Sequence, residues 1–359
     1  MDTDPQAPEQ HEGYNIENRR YIGCKSKLVD WIFELIDRET VNCESFCDIF
    51  AGTGTVAGRA ISLYPREIVN DFLPSNNVIY KAFWEDLPWN IEKVYSYRSK
   101  YNNISPARLK DNYFSQNYGD RYYDKNVAKI IGYIRGDIEK SKKNLSEKEY
   151  CILLASLIYS IDKLANTLGH FDAYIKKEIP LRHFEMTMVN TRTFPGVTIH
   201  KQDANSLARQ VQSDIVYIDP PYNSRQYSRF YHVYDNLIQW KKPKLYGAAF
   251  KPVEENMSEY CRSSAFRAFS DLVQHLNAKY LVISYNNTYK SKSTSSANKI
   301  RLDQIENVLE MCGPTKVFNH AHNPFNSGKT EFEDHKEYLF ITEIDNERRN
   351  TSFASVLCR

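Results

Sequence analysis

Four consecutive residues beyond the middle of the chain, Asp219-Pro220-Pro221-Tyr222, carry groups that could hold and activate an amine. The Asp219 carboxylate and the Pro220 carbonyl could each accept one N–H of an amino group. These contacts would aim the nitrogen lone pair at an electrophilic methyl group and stabilise the charge that develops on nitrogen. Tyr222 could stack on a base extruded from a duplex, because an amine on a base cannot be reached inside the helix. The tetrad therefore predicts attack of an exocyclic amine on a methyl donor.

A short apolar strand must position this tetrad. Residues 214–218 read Asp-Ile-Val-Tyr-Ile, and four apolar residues in a row are typical of a strand that is buried on both faces, as in a parallel sheet. Pro220 and Pro221 end the strand, since neither can donate a hydrogen bond to a neighbouring strand. Asp219 is thereby predicted at the carboxyl end of the strand, where ligands bind in open α/β sheets.

The amino-terminal part predicts a nucleotide-binding unit of strand, turn and helix. Residues 45–50 form an apolar strand, and Gly52 and Gly54 in the next turn permit close approach of a cofactor to the backbone. Asp71 follows a second apolar strand and is placed to bind ribose hydroxyls. Nicotinamide enzymes use the same geometry, so these residues predict a nucleoside cofactor without distinguishing which.

Two further segments could contact the same cofactor. Tyr21, Gly23 and Lys25 precede a helical apolar periodicity, and a turn at Gly23 would let the backbone approach a ligand carboxylate beside Lys25. Asp203 follows a predicted strand at residues 197–200. An amphipathic helix with a basic amino terminus and a generic surface aspartate are the alternative interpretations.

The alternation of strands and helices lapses between residues 80 and 195. Residues 91–150 include 13 Lys/Arg and 8 Asp/Glu, a local excess of +5. The tyrosines interleaved with them are Tyr95, Tyr97, Tyr101, Tyr113, Tyr118, Tyr122, Tyr123, Tyr133 and Tyr150. Basic side chains can neutralise phosphates and aromatic rings can stack on bases, so the region predicts contact with nucleic acid. A solvated subdomain is the alternative, and residues 151–168 predict an apolar core helix within it.

The carboxyl-terminal part predicts completion of the sheet. A strand at residues 278–285, a polar loop at 286–299 and a helix at 300–312 continue the alternation. Strands at residues 315–319 and 338–342 suit an antiparallel pair at the edge of the sheet.

Composition limits the class of protein. A chain of 359 residues and 42.0 kDa can hold one large α/β domain plus a subdomain, and 42% hydrophobic with 26% charged residues is ordinary for a soluble globular protein. The seven cysteines are odd in number and lack Cys-x-x-Cys spacing, so neither a disulfide framework nor a metal site is expected, and a reducing cytoplasm fits. No apolar run predicts a signal peptide or a membrane span.

Four motifs, in this order, resemble those of DNA adenine-N6 methyltransferases that use S-adenosylmethionine. They are Tyr21-x-Gly-x-Lys25, Phe50-x-Gly-x-Gly54, Asp71 and Asp219-Pro-Pro-Tyr222, and the insertion between the cofactor half and the catalytic half is the alpha arrangement of that family. The resemblance implies that Asp219, Pro220, Pro221 and Tyr222 are catalytic. It implies that S-adenosylmethionine is held by Tyr21, Gly23, Lys25, Asp48, Phe50, Gly52, Gly54, Asp71, Phe72, Asp203 and Asp219.

The same resemblance implies a fold and a set of domains. The fold is a doubly wound, Rossmann-like α/β methyltransferase sheet with an inserted, largely helical target-recognition subdomain. The catalytic domain is expected at residues 19–79 and 196–345, and the recognition region at residues 80–195. Residues 1–18 are expected to be a disordered tail and residues 346–359 a carboxyl-terminal tail.

The segment after the tetrad resembles methyltransferases of restriction–modification systems. Its amide, cationic and aromatic side chains could hold phosphates and fill the gap left by a flipped base; they are Asn223, Arg225, Tyr227, Arg229 and Tyr231. The resemblance implies site-specific methylation of adenine N6 in double-stranded DNA, as in a type II system of a prokaryote, phage or virus. It implies functional pairing with a restriction endonuclease, without a physical complex and without a membrane.

Three other interpretations remain open. A methyltransferase acting on cytosine N4, RNA adenine or a protein amide would share the fold, although Ser or Asn in place of Asp219 would favour those substrates. A nicotinamide oxidoreductase would explain Asp71 and the glycines, but it leaves the tetrad without a role. A catalytically silent DNA-binding protein of the same fold is the third, and a test of cofactor dependence separates it from an enzyme.

Overall fold

The computed structural model describes residues 13–287, 298–321 and 336–357. Within these residues, one mixed sheet consists of β1 (Ser45–Asp48), β2 (Arg66–Asn70), β3 (Val197–His200), β4 (Gln212–Ile218), β5 (Asn277–Asn286), β6 (Thr315–Ala321) and β7 (Lys336–Glu343). The helices are α1 (Val29–Glu39), α2 (Thr55–Ala60), α3 (Pro74–Trp84), α4 (Ile91–Asn102), α5 (Tyr113–Tyr118), α6 (Lys125–Ser141), α7 (Glu147–Asp162), α8 (Ala204–Ala208), α9 (Tyr227–Phe230), α10 (His232–Gln239), α11 (Ala265–His275), α12 (Leu302–Glu310) and α13 (Asn346–Leu357).

The order of strands across the sheet is β3-β2-β1-β4-β5-β7-β6. Strands β3, β2, β1, β4 and β5 are parallel to their neighbours, whereas β7 runs antiparallel to both β5 and β6. The chain first proceeds outward from β1 to β2 and β3. It then returns to the other side of β1 to form β4, so the order reverses between β1 and β4. Such a switch point opens a crevice at the carboxyl ends of the two strands, and open α/β sheets bind ligands there.

Strand β4 shows how the sheet separates two layers of helices. Ile215 and Tyr217 pack in the apolar cluster that includes α1, whereas Val216 and Ile218 pack in the cluster that includes α11 and α12. All four side chains are at most 1% exposed. Because neighbouring residues of a strand point to opposite faces, a continuous apolar run is needed when both faces are covered. The prediction of a doubly wound, Rossmann-like sheet is confirmed.

The predicted edge of the sheet is also confirmed. The strands expected at residues 315–319 and 338–342 are the antiparallel pair β6 and β7, with β6 at the edge. The strand expected at residues 197–200 has the bounds of β3. Most of the polar loop expected at residues 286–299 lies outside the described residues. In the part of the chain that the structure describes, no helix has both the length and the apolar character needed to cross a membrane.

The region between residues 80 and 195 begins inside α3 and contains α4, α5, α6 and α7. Helix α7 starts with a capping box, in which the Ser146 hydroxyl accepts the Glu149 N–H at 3.2 Å and the Glu149 carboxylate accepts the Ser146 N–H at 2.9 Å. It ends at Asp162 rather than at the predicted residue 168. Beyond its end, the Asn166 side-chain amide donates to the Arg121 and Ile175 carbonyls at 2.9 Å each and holds a turn.

Four insertion tyrosines that were expected to meet bases are core residues. Tyr101, Tyr118, Tyr122 and Tyr123 are each at most 1% exposed, so that expectation is wrong for them. The Tyr122 hydroxyl, for example, donates to the Phe171 carbonyl at 2.7 Å. Side chains of α6 and α7 share one apolar cluster with α3 and α10, so the insertion is fused to the layer of helices on one face of the sheet.

The end of the expected amino-terminal tail is ordered. The Tyr14 N–H donates to the Met188 carbonyl at 2.9 Å, and Ile16 is 9% exposed within a 3₁₀ turn. The structure therefore departs from the predicted disordered tail for residues 13–18. Backbone pairing of Tyr14 with Met188 and Asn190, together with the burial of Ile16, ties the segment down. Residues 1–12 of the expected tail lie outside the described residues.

The expected carboxyl-terminal tail likewise begins as a helix. Arg349 of α13 donates to the Leu276 carbonyl at 2.6 Å, and Phe353 is buried. These two contacts dock α13 beside the start of β5. Residues 358 and 359 lie outside the described residues.

Candidate active site

A cleft lies at the carboxyl edge of the sheet, where β1, β2 and β4 end. Its volume is about 1010 Å³, including the part that is open to solvent. All but one of the predicted cofactor-binding residues line it, namely Tyr21, Gly23, Lys25, Asp48, Phe50, Gly52, Asp71, Phe72, Asp203 and Asp219. The rest of the tetrad, Pro220, Pro221 and Tyr222, lines it as well. The fold thus brings the predicted cofactor and catalytic residues to one site.

Gly54 is the exception, because it faces the helices rather than the cleft. Its φ is +80°, and a Cβ at this position would lie 2.8 Å from the Trp84 ring and 3.1 Å from the Tyr80 ring. Glycine is required here for the turn to pack against α3. The structure therefore gives Gly54 a packing role, and its expected contact with a cofactor stays a prediction.

Asp219 follows β4 directly, and its carboxylate meets a lysine and a tyrosine. Lys25 Nζ lies 3.1 Å from Asp219 Oδ1, and the Tyr222 hydroxyl donates to the same oxygen. Asp219 Oδ2 has no partner among the described residues. Burial raises the pKa of Asp219 above its usual range, although the Lys25 ammonium opposes the shift. Tyr222 is partly exposed, and its ring rests edge-on against Tyr285 with centroids 4.7 Å apart.

Lys25 is 6% exposed and is held by three acceptors of the protein. Its Nζ lies 3.1 Å from Asp219 Oδ1, 3.0 Å from Glu337 Oε1 and 2.5 Å from the Tyr222 hydroxyl. Burial would lower the pKa of the ammonium, but the two carboxylates outweigh burial and raise the pKa. An ammonium has three N–H groups, so these contacts use its donors. The structure thereby pairs Lys25 with Asp219, Tyr222 and Glu337, and its contact with a ligand carboxylate stays a prediction.

Glu337 also belongs to this group, although no motif in the sequence marks it. It is 3% exposed, and its Oε1 accepts a hydrogen bond from Ser284 at 2.8 Å and lies 2.9 Å from the Tyr222 hydroxyl. Burial disfavours the charged carboxylate, but Lys25 and the hydrogen bonds lower the pKa of Glu337. Because β7 is antiparallel to β5, the start of β7 lies at the carboxyl edge of the parallel strands. An acidic residue at the start of an apolar strand is the signal that could have revealed it.

Two more carboxylates line the cleft. Asp71 holds the glycine turn, since its Oδ2 accepts the Gly52 N–H at 3.0 Å and its Oδ1 accepts the Leu73 N–H at 2.7 Å. Burial raises its pKa. Asp48 is 1% exposed, and its Oδ1 is buried without a hydrogen-bond partner among the described residues. Burial raises the pKa of Asp48 well above its usual range. Both carboxylates therefore belong to residues that line the cleft.

Two tyrosines from the segment after the tetrad support the loop around Tyr21. The Tyr21 ring centroid lies 4.3 Å from that of Tyr231 and 5.3 Å from that of Tyr227. The Tyr231 hydroxyl accepts the Ile22 N–H at 2.8 Å, and the Tyr227 hydroxyl donates to the Ile22 carbonyl at 3.3 Å. Tyr231 is 1% exposed. The predicted contact of Tyr231 with DNA is therefore wrong, because its ring lies inside the protein.

The other predicted DNA-binding residues are more accessible. Tyr227 lines the cleft, and Arg225 is exposed. The Asn223 side chain accepts the Arg225 N–H at 3.0 Å, which shapes the turn after the tetrad. Arg229 donates to the Pro252 carbonyl at 2.8 Å. Contact of these four residues with DNA stays a prediction.

Comparison with known proteins decides the family. The sequence model of the D12 class N6 adenine-specific DNA methyltransferases matches residues 21–299, which include all four motifs and the insertion. The chain belongs to this family. The match to the D12 class ends before β6 and β7, so Glu337 lies beyond the matched residues.

Several curated relatives of this D12 class chain are modification methylases by name. Modification methylase LlaI of Lactococcus lactis subsp. lactis is 30% identical over 290 residues, which are 75% of this chain and 46% of that protein. Type II methyltransferase M.CviAII of Paramecium bursaria Chlorella virus 1 is 30% identical over 335 residues, or 90% of this chain and 98% of that protein. Type II methyltransferase M.NlaIII of Neisseria lactamica is 28% identical, with the same two shares. The chain spans about half the length of the first relative and nearly all of the other two.

Proposed function

We propose that this chain transfers a methyl group from S-adenosylmethionine to N6 of adenine at a specific site in double-stranded DNA. One observation carries the proposal: Asp219, with an unpartnered Oδ2 among the described residues, lies in the same cleft as the glycine turn and Asp71. An acceptor for an amine thus adjoins a site for a nucleoside. Membership of the D12 class supports adenine as the base that carries the amine.

The chemistry of the cleft fits the proposed cofactor. Asp71 can accept ribose hydroxyls, and the turn at Gly52, with φ of +53°, lets a sugar approach the backbone. Asp203 at the rim can accept an adenine amine with the oxygen that does not cap α8. When bound, S-adenosylmethionine supplies an electrophilic methyl group.

The tetrad acts on the amine in this proposal. An adenine amino group is a poor nucleophile, since its lone pair is delocalised into the ring. Asp219 and the Pro220 carbonyl each accept one N–H, which favours a tetrahedral nitrogen whose lone pair points at the methyl group. The carboxylate also stabilises the positive charge that develops on nitrogen. Tyr222, partly exposed in the cleft, is proposed to stack on the flipped base.

The proposed recognition of DNA uses the insertion and the segment after the tetrad. Residues 80–195 are proposed to read the target, while Arg225 and its neighbours hold phosphates beside the flipped base. The relatives' names support a role in a type II restriction–modification system. We propose that a restriction endonuclease of the same specificity is the functional partner, without a physical complex. The bacterial and viral sources of the relatives support the cytoplasm of a bacterium or of a virus-infected cell as the setting.

The direct test is incubation of the purified protein and S-adenosylmethionine with unmethylated genomic DNA, followed by single-molecule sequencing that reports modified bases. N6-methyladenine at one short motif would establish both the base and its sequence context. N4-methylcytosine in its place would contradict the choice of base. If no modified base appears although the cofactor binds, the proposed DNA substrate is wrong, and RNA and protein amides would be tested next.

The first mutational prediction concerns Asp219. Asp219→Ala removes an acceptor for the amine, and we expect kcat to fall by roughly 10²-fold or more while the affinities for cofactor and DNA remain within a few-fold. Rates of methyl transfer to an oligonucleotide duplex and equilibrium binding measure the two effects. Asp303→Ala, at an exposed position of α12, is the matched control and is expected to be fully active. Wild-type turnover in Asp219→Ala would contradict the mechanism.

A further inference from the structure

Glu337 is buried beside the tetrad, on a strand that carries none of the four motifs. Its Oε1 lies 3.0 Å from Lys25 Nζ, 2.9 Å from the Tyr222 hydroxyl and 2.8 Å from the Ser284 hydroxyl. Its side chain is 4% exposed. A carboxylate that is desolvated to this extent is costly unless it is paired and hydrogen-bonded, and Glu337 has both kinds of partner. The geometry ties Glu337 to two residues of the site.

The Tyr222 hydroxyl lies between two carboxylates. It has one proton, yet Asp219 Oδ1 and Glu337 Oε1 are both within hydrogen-bond distance of its oxygen. It can donate to only one of them at a time. When an amine binds to Asp219, the Tyr222 hydroxyl can donate its hydrogen bond to Glu337 instead. Asp219 is then free to accept the N–H of the amine.

The charges of Lys25, Asp219 and Glu337 also indicate that Glu337 helps Asp219 to accept the amine. Lys25 contributes one positive charge, which it shares between Asp219 and Glu337 at 3.1 Å and 3.0 Å. The three groups together therefore carry one net negative charge. Without the Glu337 carboxylate, Lys25 and Asp219 would neutralise each other. Methyl transfer to a neutral amine leaves positive charge on its nitrogen, and a negative site stabilises that transition state.

We propose that Glu337 is a positioning residue for methyl transfer. It acts through Lys25 and the Tyr222 hydroxyl, so that Asp219 remains a charged acceptor for the amine of the substrate. It does not touch the reacting atoms itself. The role rests on the proposed function, because it concerns the same tetrad, and it adds to the site a residue outside the motifs.

The test compares Glu337→Gln with Glu337→Asp. Gln has nearly the shape of Glu without its charge, whereas Asp keeps the charge on a shorter side chain. We expect kcat at saturating cofactor and DNA to fall roughly 10-fold or more in Glu337→Gln and by less in Glu337→Asp, while the affinity for cofactor stays within about twofold. A packing role predicts the opposite order of the two variants. Glu343→Gln, at the exposed other end of β7, is the matched control and is expected to keep wild-type kcat.

For the Glu337 variants, two results would overturn the proposal. One is a kcat for Glu337→Gln within twofold of wild type, and the other is a Glu337→Gln variant that is more active than Glu337→Asp. If neither Glu337 variant folds, Ser284→Ala is decisive, because it removes one of the hydrogen bonds that hold Glu337 Oε1. We expect this variant to lose roughly fivefold in kcat with unchanged cofactor affinity, and an unchanged kcat would overturn the role.

A second measurement separates this proposal from the proposed function. Free energies of unfolding for Lys25→Met, Glu337→Gln and the double variant form a cycle that needs no substrate. We expect a non-additive cycle, and additive values would overturn the link between Glu337 and Lys25. If the cycle is non-additive while the wild-type protein methylates no adenine, the proposed DNA activity is contradicted. That pair of results would still establish the contact between Glu337 and Lys25.

Discussion

At the scale of single residues, the loop around Tyr21 depends on side chains that come from after the tetrad. Tyr231 contributes a ring that stacks on Tyr21 and a hydroxyl that accepts the Ile22 N–H. Because Ile22 and Gly23 both line the cleft, this hydrogen bond fixes part of the wall of the proposed cofactor site. Tyr231, which the sequence suggested as a DNA contact, thereby supports the loop around Tyr21.

Tyr231→Phe tests this support. The substitution keeps the stacked ring but removes the acceptor of the part-buried Ile22 N–H, which costs roughly 1 kcal/mol. We expect the Kd for S-adenosylmethionine to rise roughly fivefold or more, as measured by titration calorimetry. Tyr133→Phe, on an exposed side chain of α6, is the control and is expected to leave this Kd unchanged. An unchanged Kd in Tyr231→Phe would show that the loop holds its shape without the hydroxyl.

At the scale of elements, the start of β4 is tied to both neighbouring strands by Asp214. Its Oδ2 accepts the Glu44 N–H at 2.9 Å and the Ser45 N–H at 3.0 Å, and its Oδ1 lies 2.8 Å from Lys279 Nζ. Burial opposes the charged form, but the hydrogen bonds from Lys279, Glu44 and Ser45 lower the pKa of Asp214 to about 2. The strand that positions the tetrad is therefore held at its other end by a charged carboxylate.

Asp214→Asn is expected to reveal this contribution through its pH dependence. A pKa lowered from 3.8 to about 2 corresponds to about 2 kcal/mol of stability. Because the folded pKa is depressed, this stability is fully present above about pH 4 and is lost as the pH falls towards 2. Urea unfolding at a series of pH values should show a gap of about 2 kcal/mol between wild type and variant near pH 6.

The outcome at low pH decides the cause of that gap. We expect it to close between about pH 4 and pH 2, where wild-type Asp214 gains its proton. A gap that is constant down to pH 2 would mean that the asparagine disturbs packing rather than charge. Glu306→Gln, at an exposed position of α12, is the control and should show almost no gap at any pH.

At the scale of the whole molecule, the insertion and the sheet share one core. Side chains of α6 and α7 belong to the same apolar cluster as α3, α10 and Val69 of β2. Helix α7 alone contributes buried residues along nearly its whole length. An insertion built in this way is anchored on the sheet, so the proposed recognition region would keep a constant position relative to the cleft.

We therefore expect a single cooperative unfolding transition. Trp84, Trp89 and Trp240 lie in the shared cluster, whereas Trp31 packs in the cluster on the other face of the sheet. In a Trp31→Phe variant, fluorescence reports the helical layer, and far-UV circular dichroism reports the whole chain. Coincident urea midpoints are expected for the two signals. An earlier fluorescence transition would show that the insertion unfolds as a separate unit.

The sequence by itself determined the elements whose causes are local. An apolar run that stops at two prolines specifies a buried strand and the position of Asp219 just beyond it. Glycines between a strand and a helix specify the turn at Gly52, which does line the cleft. In each case the residues that cause the structure are neighbours in the chain, so one short window contains the information. The resemblance to a family added the order of these windows along the chain.

Only the tertiary structure decided which distant side chains meet. Glu337 joins the tetrad because β7 runs antiparallel to β5, and Tyr101 and Tyr231 lie inside the protein because helices pack over them. Gly54 faces Trp84 for the same kind of reason. A tyrosine or a glutamate has the same local signature in a core as at a site. Its role is set by the burial and the hydrogen-bond partners that long-range packing supplies, and no short window of sequence contains them.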